Sequence, residues 1–366
     1  MLMSTSETFE IHFGDPSKPV GYLRDVLAKH IIAVPSGGAI DWVTYYFRDV
    51  RLAELLLQAH KRGVRVTVSL PATPRISVAN QAVIKMLSGP DRLGDGLKVV
   101  NFPGIPAPPG RAWKPQLHEK IYCFSHPKPI ALVGSYNPSG NNPEAQPEII
   151  REIGDQDHGY NVLAGIVEPS LVQHIIAHVR RIHQAPPSLF YRFTDSANRV
   201  FKSSDTTIHF LPSLQPHPVV QFLNQLGSGA HVRIAASHIR ATNAVNVMIE
   251  LARRGAAVEI IAESTRRRVT PDVEQRLIDA GIRFSRADIP GGAPMHLKFV
   301  LIENSGQVWS IFGSFNWTKP SFWLNHEIIV ITSNPSIFNQ FSNCWNTLKK
   351  EAAMSAEQKD FIIHPL

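Results

Sequence analysis

Two short stretches, Leu117-His118-Glu119-Lys120 and Met295-His296-Leu297-Lys298, each place a histidine two residues before a lysine. Alternate residues of a strand point to the same face, so each histidine and its lysine can face one pocket. An apolar run and a small-residue turn follow both stretches, and the turns are Gly134-Ser135-Tyr136-Asn137 and Gly313-Ser314-Phe315-Asn316. One His-x-Lys pattern is a weak signal, but two copies with matched spacing indicate a repeated functional unit.

The chain also repeats around these stretches. Glu10-Ile11-His12-Phe13 is similar to Thr207-Ile208-His209-Phe210, and each is followed by a proline-containing loop and a helical pattern. One amphipathic helical pattern in each half ends in two basic residues followed by glycine, at Gly63 and at Gly255. Cations in a last turn followed by glycine are a signal for the C-terminus of a helix.

The alternation of strands and helices predicts the fold class. We match the apolar stretches His30–Val34 and His231–Ala235 as equivalent strands of the two halves. Strands that alternate with helices predict an α/β protein, here two pseudo-symmetric domains with mixed central sheets flanked by helices. The polar segment Ala185–Asp205 separates them, which predicts an N-terminal repeat over residues 1–190 and a C-terminal repeat over residues 200–366.

Composition limits the class of protein. The chain has 366 residues, and its 37 basic and 30 acidic residues give a net charge of +7, which suits anionic partners. Two cysteines, Cys123 and Cys344, make neither a disulfide framework nor a zinc site, so we predict no metal and no cofactor, and we place Cys123 in the core. We expect neither a signal peptide nor a transmembrane helix, because no stretch approaches about 18 apolar residues, and therefore expect a cytoplasmic protein, with peripheral membrane contact left open.

The residue types of the repeated unit are suited to phosphate chemistry. Lysine supplies positive charge, and serine and asparagine donate hydrogen bonds to phosphate oxygens. The candidates that recur in both halves are Lys120, Lys298, Asn137, Asn316 and, as direct phosphate-binding groups, Ser135 and Ser314.

With these motifs the sequence resembles the phospholipase D superfamily, whose half-site contains His-x-Lys, then Gly-Ser-x-Asn, then an acidic residue on the next strand. The resemblance spans nearly the whole chain, and the second half is the closer match. Its stretch GSFNWTKPSFWLNHEIIV, residues 313–330, is similar to the cardiolipin-synthase and bacterial phospholipase pattern in Ser321, Leu324, Asn325 and Glu327. The string GSFNWT is also similar to the small endonucleases of the superfamily.

The chain departs from the family pattern at one position in each half. The family's aspartate after the lysine is replaced by Ser125 in the first half and by Glu303 in the second. The resemblance implies that this aspartate supports the structure, and the tyrosyl-DNA phosphodiesterase branch also lacks it. An active enzyme is therefore still expected.

The acidic partner of each half-site is sought by spacing. Glu327 follows Asn316 by 11 residues and precedes Pro335 by eight. In the first half the two spacings disagree, because counting from the asparagine gives Glu148 and counting back from the proline gives Asn161.

The second spacing is preferred, because Tyr160–Val167 has the pattern of a strand whereas Pro143–Glu152 is predicted to be an inserted loop. Each partner is expected to orient the histidine of its own repeat. This pairs Asn161, or alternatively Glu148, with His118, and Glu327 with His296.

The resemblance also implies a mechanism. One histidine attacks phosphorus and forms a phosphohistidine, the other protonates the leaving alcohol, and water or an acceptor alcohol then resolves the intermediate. By resemblance His118 is the nucleophile and His296 the acid. The carboxylate predicted beside His296 leaves the reverse order open.

The substrate remains open between two classes. The Ser-x-x-Leu-Asn-x-Glu pattern and the aromatic residues in Phe102–Trp113 and at Trp317, Phe322 and Trp323 favour a phospholipid and a membrane interface. The basic charge, the GSFNWT string and the Arg266–Arg268 cluster favour a nuclease on DNA or RNA. A non-catalytic binding protein is supported only by the two missing aspartates. Both half-sites lie in one chain, so a monomer can be complete, and a dimer is left open.

Overall fold

The computed structural model describes residues 9–107, 111–138, 140, 147–185, 200–240, 242–289 and 292–363. The strands of the first half form a seven-stranded sheet, those of the second half form an eight-stranded sheet, and two short strands form a separate hairpin. Helices flank both sheets, so the predicted α/β fold with two mixed sheets is confirmed.

The strands and helices have the following bounds. The strands are β1 Phe9–Gly14, β2 Ala39–Val43, β3 Arg65–Pro71, β4 Leu97–Val100, β5 Ile105–Ala107, β6 Arg111–Trp113, β7 Ile121–Phe124, β8 Ile130–Gly134, β9 Asn161–Ile166, β10 Phe201–Ser203, β11 Thr206–Leu211, β12 His231–Ala236, β13 Ala257–Glu263, β14 Arg283–Ala287, β15 Lys298–Asn304, β16 Gln307–Gly313 and β17 Glu327–Thr332. The helices are α1 Tyr22–Ala33, α2 Val50–Lys61, α3 Gln81–Leu87, α4 Pro147–Ile153, α5 Pro169–Gln184, α6 Pro218–Asn224, α7 Thr242–Arg253, α8 Pro271–Asp279, α9 Lys319–Trp323 and α10 Pro335–Ile363.

The two sheets share one strand order. The first is ordered β1-β9-β8-β7-β2-β3-β4, and the second β10-β11-β17-β16-β15-β12-β13-β14. In both, three neighbouring strands are parallel and the remaining pairs are antiparallel. The repeat seen in the sequence is therefore a repeat of one sheet, and the two His-x-Lys motifs lie at the start of the equivalent strands β7 and β15.

One predicted strand is wrong. The sequence predicts His30–Val34 as the equivalent of a strand of the second half, but residues 30–33 form the end of helix α1. Leu23, Leu27 and Ile31 recur every four residues and are all buried, which is the stripe of a helix packed on one face. The equivalent of β12 is instead Ala39–Val43.

Both predicted loops contain secondary structure. The segment Asn101–Gly110 contributes a strand, Ile105–Ala107, which pairs with Arg111–Trp113. Part of Pro143–Glu152 belongs to α4, which begins at Pro147, where a proline costs no helical hydrogen bond. The predicted strand over Tyr160–Val167 is confirmed as β9.

Each half ends in a helix that packs against the other half. His178 of α5 stacks on Phe210 of β11, with ring centroids 3.6 Å apart. Phe341 of α10 packs edge-on against Phe13 of β1 at 5.1 Å. Residues of both halves consequently share one hydrophobic cluster, to which the predicted core residue Cys123 belongs. This shared core fixes the two half-sites relative to each other.

Among the described residues, no helix combines the length and the apolar character that a membrane crossing requires.

Candidate active site

Short bridges between the halves position both histidines. Leu117 pairs with His326, and Met295 pairs with Tyr160, each as an isolated parallel bridge. The amide of His118 donates to the carbonyl of His326 at 3.1 Å, and that of His296 donates to the carbonyl of Tyr160 at 2.9 Å. Each of these histidines therefore lies beside the strand that carries the candidate partner residue of the opposite repeat.

The predicted pairing of histidines and partners is wrong. Nδ1 of His118 donates to Oε2 of Glu327 at 2.9 Å, and Nδ1 of His296 donates to Oδ1 of Asn161 at 3.1 Å. The spacing identified Glu327 and Asn161 as candidates, but the bridges exchange them between repeats. The side chain of the alternative candidate, Glu148, lies outside the described part of the chain.

The neighbours of Glu327 explain the sequence pattern around it. Its carboxylate accepts hydrogen bonds from Ser314 Oγ, from Ser321 Oγ at 2.7 Å and from Asn325 Nδ2 at 3.3 Å. The Ser-x-x-Leu-Asn-x-Glu motif thus holds one buried carboxylate in a fixed orientation toward His118.

The serines of the two turns do not have the role predicted for them. Ser314 Oγ donates to Glu327 and accepts from the amide of Ile328 at 3.1 Å. Ser135 Oγ donates to Asn161 at 3.1 Å and accepts from the amide of Val162 at 3.0 Å. Both hydroxyls are fully buried and engaged within the protein. They position the partners of the histidines, and the structure does not support direct phosphate binding by them.

The two lysines lie beneath the histidines in equivalent positions. Lys120 Nζ donates to the carbonyl of His118 at 2.5 Å, and Lys298 Nζ donates to that of His296 at 2.8 Å. The Lys120 ammonium also lies over the ring of Tyr45, 5.3 Å from its centroid. Burial outweighs the attraction of Glu327 and lowers the pKa of Lys120 to about 7. Burial likewise lowers the pKa of Lys298, and the neighbouring cations Lys120 and Arg268 lower it further.

Charge distinguishes the two histidines. Burial would raise the pKa of Glu327, but His118, Lys120 and the Ser314 hydrogen bond lower it to about 2. Burial and Lys120 lower the pKa of His118 to about 4, although Glu327 opposes this. At neutral pH an ionised Glu327 therefore accepts from a neutral His118, whose Nε2 keeps its lone pair.

His296 has no carboxylate partner. Burial, Lys298, Lys120 and Arg268 all lower its pKa well below the usual value. Because Asn161 Oδ1 only accepts, Nδ1 of His296 carries the hydrogen, and Nε2 is left as its proton-exchanging atom. His296 therefore binds an added proton less tightly than a histidine that is paired with a carboxylate.

The two asparagines line the cleft with the histidines. The backbone amide of Tyr46 donates a hydrogen bond to Oδ1 of Asn137 at 3.4 Å. The backbone amide of Asn316 donates a hydrogen bond to Ser321 Oγ at 2.8 Å. Oδ1 of Asn316 is buried and has no hydrogen-bond partner among the described residues. The side-chain oxygen of Asn316 is therefore not held by a hydrogen bond from any described residue.

The cleft around the histidines measures about 530 Å³. The first half contributes Tyr45, Tyr46, Arg75, Gln116, His118, Asn137 and Ile153, and the second half contributes His238, Arg240, Arg267, Arg268, His296, Asn316, Thr318, Lys319, Pro320 and Asn325. The first half supplies Tyr45, Tyr46 and Ile153 together with one cation, Arg75. The second half supplies four cations, Arg240, Arg267, Arg268 and Lys319, and this side of the cleft is called the cationic wall.

Sequence reasoning missed the residues that follow β2 and β12. The amide of Arg48 donates to the carbonyl of Pro138, just as that of Arg240 donates to the carbonyl of Trp317. Tyr46 and His238, which precede these arginines by two residues, are therefore equivalent and both line the cleft. Two members of the Arg266–Arg268 cluster, Arg267 and Arg268, also line the cleft, a position that the sequence does not predict. Their position at the ends of matched strands was the available signal.

The aromatic residues cited for membrane contact are mostly internal. Phe102, Trp317 and Phe322 are buried, and Phe102 stacks on His326 with centroids 5.1 Å apart. Trp323 is half exposed and lies on the same short helix, α9, as the cleft residues Lys319 and Pro320. The side chain of Trp113 lies outside the described part of the chain.

The replaced family aspartates belong to the framework. Ser125 Oγ accepts from the amide of Ala39 at 2.8 Å, and Glu303 forms an ion pair with Arg233. Neither lines the cleft, in agreement with a structural position.

Two copies of one α/β unit, each of which contributes a His-x-Lys motif and an asparagine around one shared cleft, define a two-repeat protein of the phospholipase D superfamily. Comparison with known proteins agrees: the family model described as "Cardiolipin synthase, PLD-like domain" matches residues 36–164 and 222–348, more than half of the chain. The chain belongs to this family.

Individual relatives extend this result. A protein of Chlamydomonas reinhardtii named mitochondrial cardiolipin hydrolase is 28% identical over 139 residues, which is 37% of this chain and 60% of that relative. The solved phosphatidylserine synthase of Haemophilus influenzae Rd KW20 is 12% identical, with a TM-score of 0.63 over 94% of this chain and 86% of that one. The polyphosphate kinase of Porphyromonas gingivalis is 14% identical, with a TM-score of 0.59, and this chain covers 46% of it. The two solved structures show the likeness of the fold alone.

Proposed function

We propose that this phospholipase D-like protein cleaves a phospholipid phosphodiester through a phosphohistidine on His118. One observation carries the proposal: a buried, ionised Glu327 accepts from Nδ1 of His118 at 2.9 Å. This contact fixes the tautomer whose Nε2 can attack phosphorus, and the carboxylate stabilises the positive charge that attack produces on the ring.

The steps balance with two histidines. Nε2 of His118 forms a bond to phosphorus, the bond from phosphorus to the leaving oxygen breaks, and protonated His296 gives its proton to that oxygen. His296, now neutral, takes a proton from the incoming water or alcohol, whose oxygen displaces the His118 nitrogen from phosphorus. Hydrolysis and phosphatidyl transfer differ only in this acceptor.

The charge of the reacting phosphate is balanced by the protein. Lys120 and Lys298 supply cations beneath the histidines, and Asn137 and Asn316 line the cleft beside them. Groups held in place before reaction stabilise developing charge without reorganising. A bound phosphodiester also places negative charge beside His296 and favours its protonation. The proposal requires neither a metal nor a cofactor.

A lipid substrate is supported by the relatives and by the cleft rim. The relatives are named cardiolipin hydrolase and phosphatidylserine synthase, and both names refer to phospholipids. Trp323 is exposed on the same short helix as the cationic rim residue Lys319, and an exposed tryptophan together with a cation suits the interface of an anionic membrane. A peripheral, monomeric enzyme follows as part of the proposal, since one chain supplies both half-sites.

The cationic wall favours a second candidate, a nuclease. Arg240, Arg267, Arg268 and Lys319 line the cleft, and the whole chain carries a charge of +7. Phosphate contacts by such residues would make binding to DNA or RNA strongly dependent on salt.

One experiment separates these functions. The purified protein is assayed with EDTA on vesicles of phosphatidylcholine or phosphatidylglycerol and on plasmid DNA, together with the His118→Ala and His296→Ala variants. His60→Ala, at an exposed position of α2, is the matched control. We expect cleavage of lipid by the wild type and the control alone. Cleavage of DNA alone would refute the lipid substrate, and activity in both catalytic variants would refute the mechanism.

A further inference from the structure

Two equivalent arginines, one in each half, differ in their exposure. Arg48 of the first half is buried, and its Nη1 donates to the carbonyl of Gly140 at 3.0 Å. Arg240 of the second half is exposed, lines the cleft, and has no side-chain hydrogen bond to any described residue. The first arginine is thus part of the framework, whereas the second is available to a ligand.

Further cations lie on the same wall. His238, which corresponds to Tyr46 of the first half, is not one of them, because burial and the neighbouring cations lower its pKa well below the usual value. Arg267, Arg268 and Lys319 extend the cationic wall, and the described residues that line the cleft include no carboxylate. Arg268 is partly neutralised by Glu263 at 3.3 Å, so Arg240 and Lys319 are the exposed cations of this wall.

The cationic wall lies on the side of His296. The charge of Arg268 acts on His296, and the backbone of Arg240 is bonded to Trp317, the residue that follows Asn316. In a displacement at phosphorus the leaving oxygen lies opposite the attacking atom. If His118 attacks, the leaving alcohol extends from His296 along this wall.

We propose that the cationic wall is a second anion subsite, in which Arg240 and Lys319 bind a phosphate carried by the leaving alcohol. This inference rests on the proposed function and specifies its substrate class: a phospholipid whose headgroup alcohol itself bears a phosphate. Arg240 and Lys319 determine specificity and take no part in bond breaking. A nucleic acid strand offers the same chemistry, because the leaving nucleoside carries the next phosphate, and the experiment therefore includes that source.

The test compares two lipids that differ only in the subsite ligand. Phosphatidylglycerol and phosphatidylglycerol phosphate release glycerol and glycerol phosphate, respectively, from the same scissile bond. We expect kcat/KM of the wild type to be roughly 10- to 100-fold higher for phosphatidylglycerol phosphate. This range corresponds to the free energy that hydrogen bonds to a charged group contribute. Arg240→Gln and Lys319→Gln should reduce this preference at least several-fold, and Arg240→Lys should restore part of it.

Arg253→Gln is the matched control, because Arg253 is exposed on α7, pairs with Glu250 at 2.7 Å, and its loss changes the net charge equally. It should leave the preference of the wild type intact. Equal kcat/KM for the two lipids, or a preference unchanged in Arg240→Gln, would overturn the subsite.

A second pair of substrates keeps the inference testable if the lipid assignment fails. A dinucleoside monophosphate is compared with the same compound bearing a phosphate on the leaving nucleoside. Cleavage of nucleotides alone, with an Arg240-dependent preference for the added phosphate, would refute the lipid and retain the subsite. Absence of a preference in both pairs would refute the subsite itself.

Discussion

His118 and His296 occupy equivalent places in two copies of the same sheet, yet one is paired with a carboxylate and the other with an amide. Nδ1 of His118 faces Glu327, and Nδ1 of His296 faces Asn161. A carboxylate stabilises the positive ring that exists during nucleophilic attack, whereas an amide holds the ring in orientation without stabilising its charge. A symmetric backbone thus carries an asymmetric distribution of charge, and in the proposed mechanism this asymmetry makes His118 the nucleophile and His296 the acid.

The largest expected effects come from removing the histidines. With a phospholipid, whose leaving alcohol needs a proton, His118→Ala and His296→Ala should each lose roughly 10²- to 10⁴-fold or more in kcat. With a p-nitrophenyl phosphodiester, whose leaving group needs no proton, His296→Ala should release a burst of p-nitrophenol and then turn over slowly. His118→Ala should give no burst. Stopped-flow absorbance measures both, and a burst in His118→Ala alone would reverse the roles.

Replacing the partners sharpens the comparison. Glu327→Gln removes the charge beside His118 and should lower kcat by roughly 10²-fold or more, in the manner of other histidine–carboxylate pairs. Asn161→Ala removes a neutral hydrogen bond worth about 1 kcal/mol and should lower kcat by about fivefold to tenfold.

The matched control for Glu327→Gln is Glu259→Gln. Glu259 is also a buried carboxylate, is bonded to His231 at 2.8 Å, and does not line the cleft. It should lower the Tm without the corresponding loss of kcat. Equal losses of kcat in Glu327→Gln and Asn161→Ala, measured with lipid, would contradict the assigned asymmetry.

The pH dependence should show two limbs. As pH falls through about 4, His118 becomes protonated and loses its nucleophilic lone pair. As pH rises, His296, whose pKa is lowered by burial and by its cationic neighbours, first loses the proton that the leaving alcohol needs. Above about pH 7, Lys120 also loses its proton and therefore its attraction for phosphate. A plot of kcat/KM against pH, which reports the free enzyme, should be bell-shaped with a maximum between these values. Activity that keeps rising above pH 8 would contradict the role of Lys120.

The smallest expected effect concerns the cleft rim. Trp323→Ala should weaken sedimentation with anionic vesicles by roughly tenfold or less and leave hydrolysis of a soluble p-nitrophenyl diester unchanged, because Trp323 is exposed outside the cleft. Trp309→Ala, at a partly buried tryptophan of β16 away from the cleft, is the control. Equal vesicle binding by both variants and the wild type would remove Trp323 from the interface.

The fold could be predicted because repetition adds to each local signal. The His-x-Lys stretches, the glycines after α2 and α7 and the prolines that begin α5 and α10 occur twice, so an ambiguous element in one half is supported by the other. The strand predicted at His30–Val34 failed because a short apolar run fits both a helix and a strand until its periodicity is followed back to Leu23.

The members of the site were predictable, but their partnerships were not. Spacing along the chain identified Asn161 and Glu327, but it carries no information on which strand lies beside which histidine. The Leu117–His326 and Tyr160–Met295 bridges join residues 209 and 135 positions apart, and such contacts arise from the packing of the halves. The cationic wall also could not be predicted from the sequence. Arg48 and Arg240 are the same residue type, and only the folded structure shows that the side chain of Arg48 is buried whereas that of Arg240 lines the cleft.

The central claim is that His118 is the nucleophile, and the site of covalent phosphorylation tests it most directly. The wild type is mixed with a p-nitrophenyl phosphodiester, quenched in alkali during turnover, and mapped by mass spectrometry. We predict a phosphoryl adduct on the peptide that contains His118 and none on the peptide that contains His296. An adduct on His296 would contradict the account.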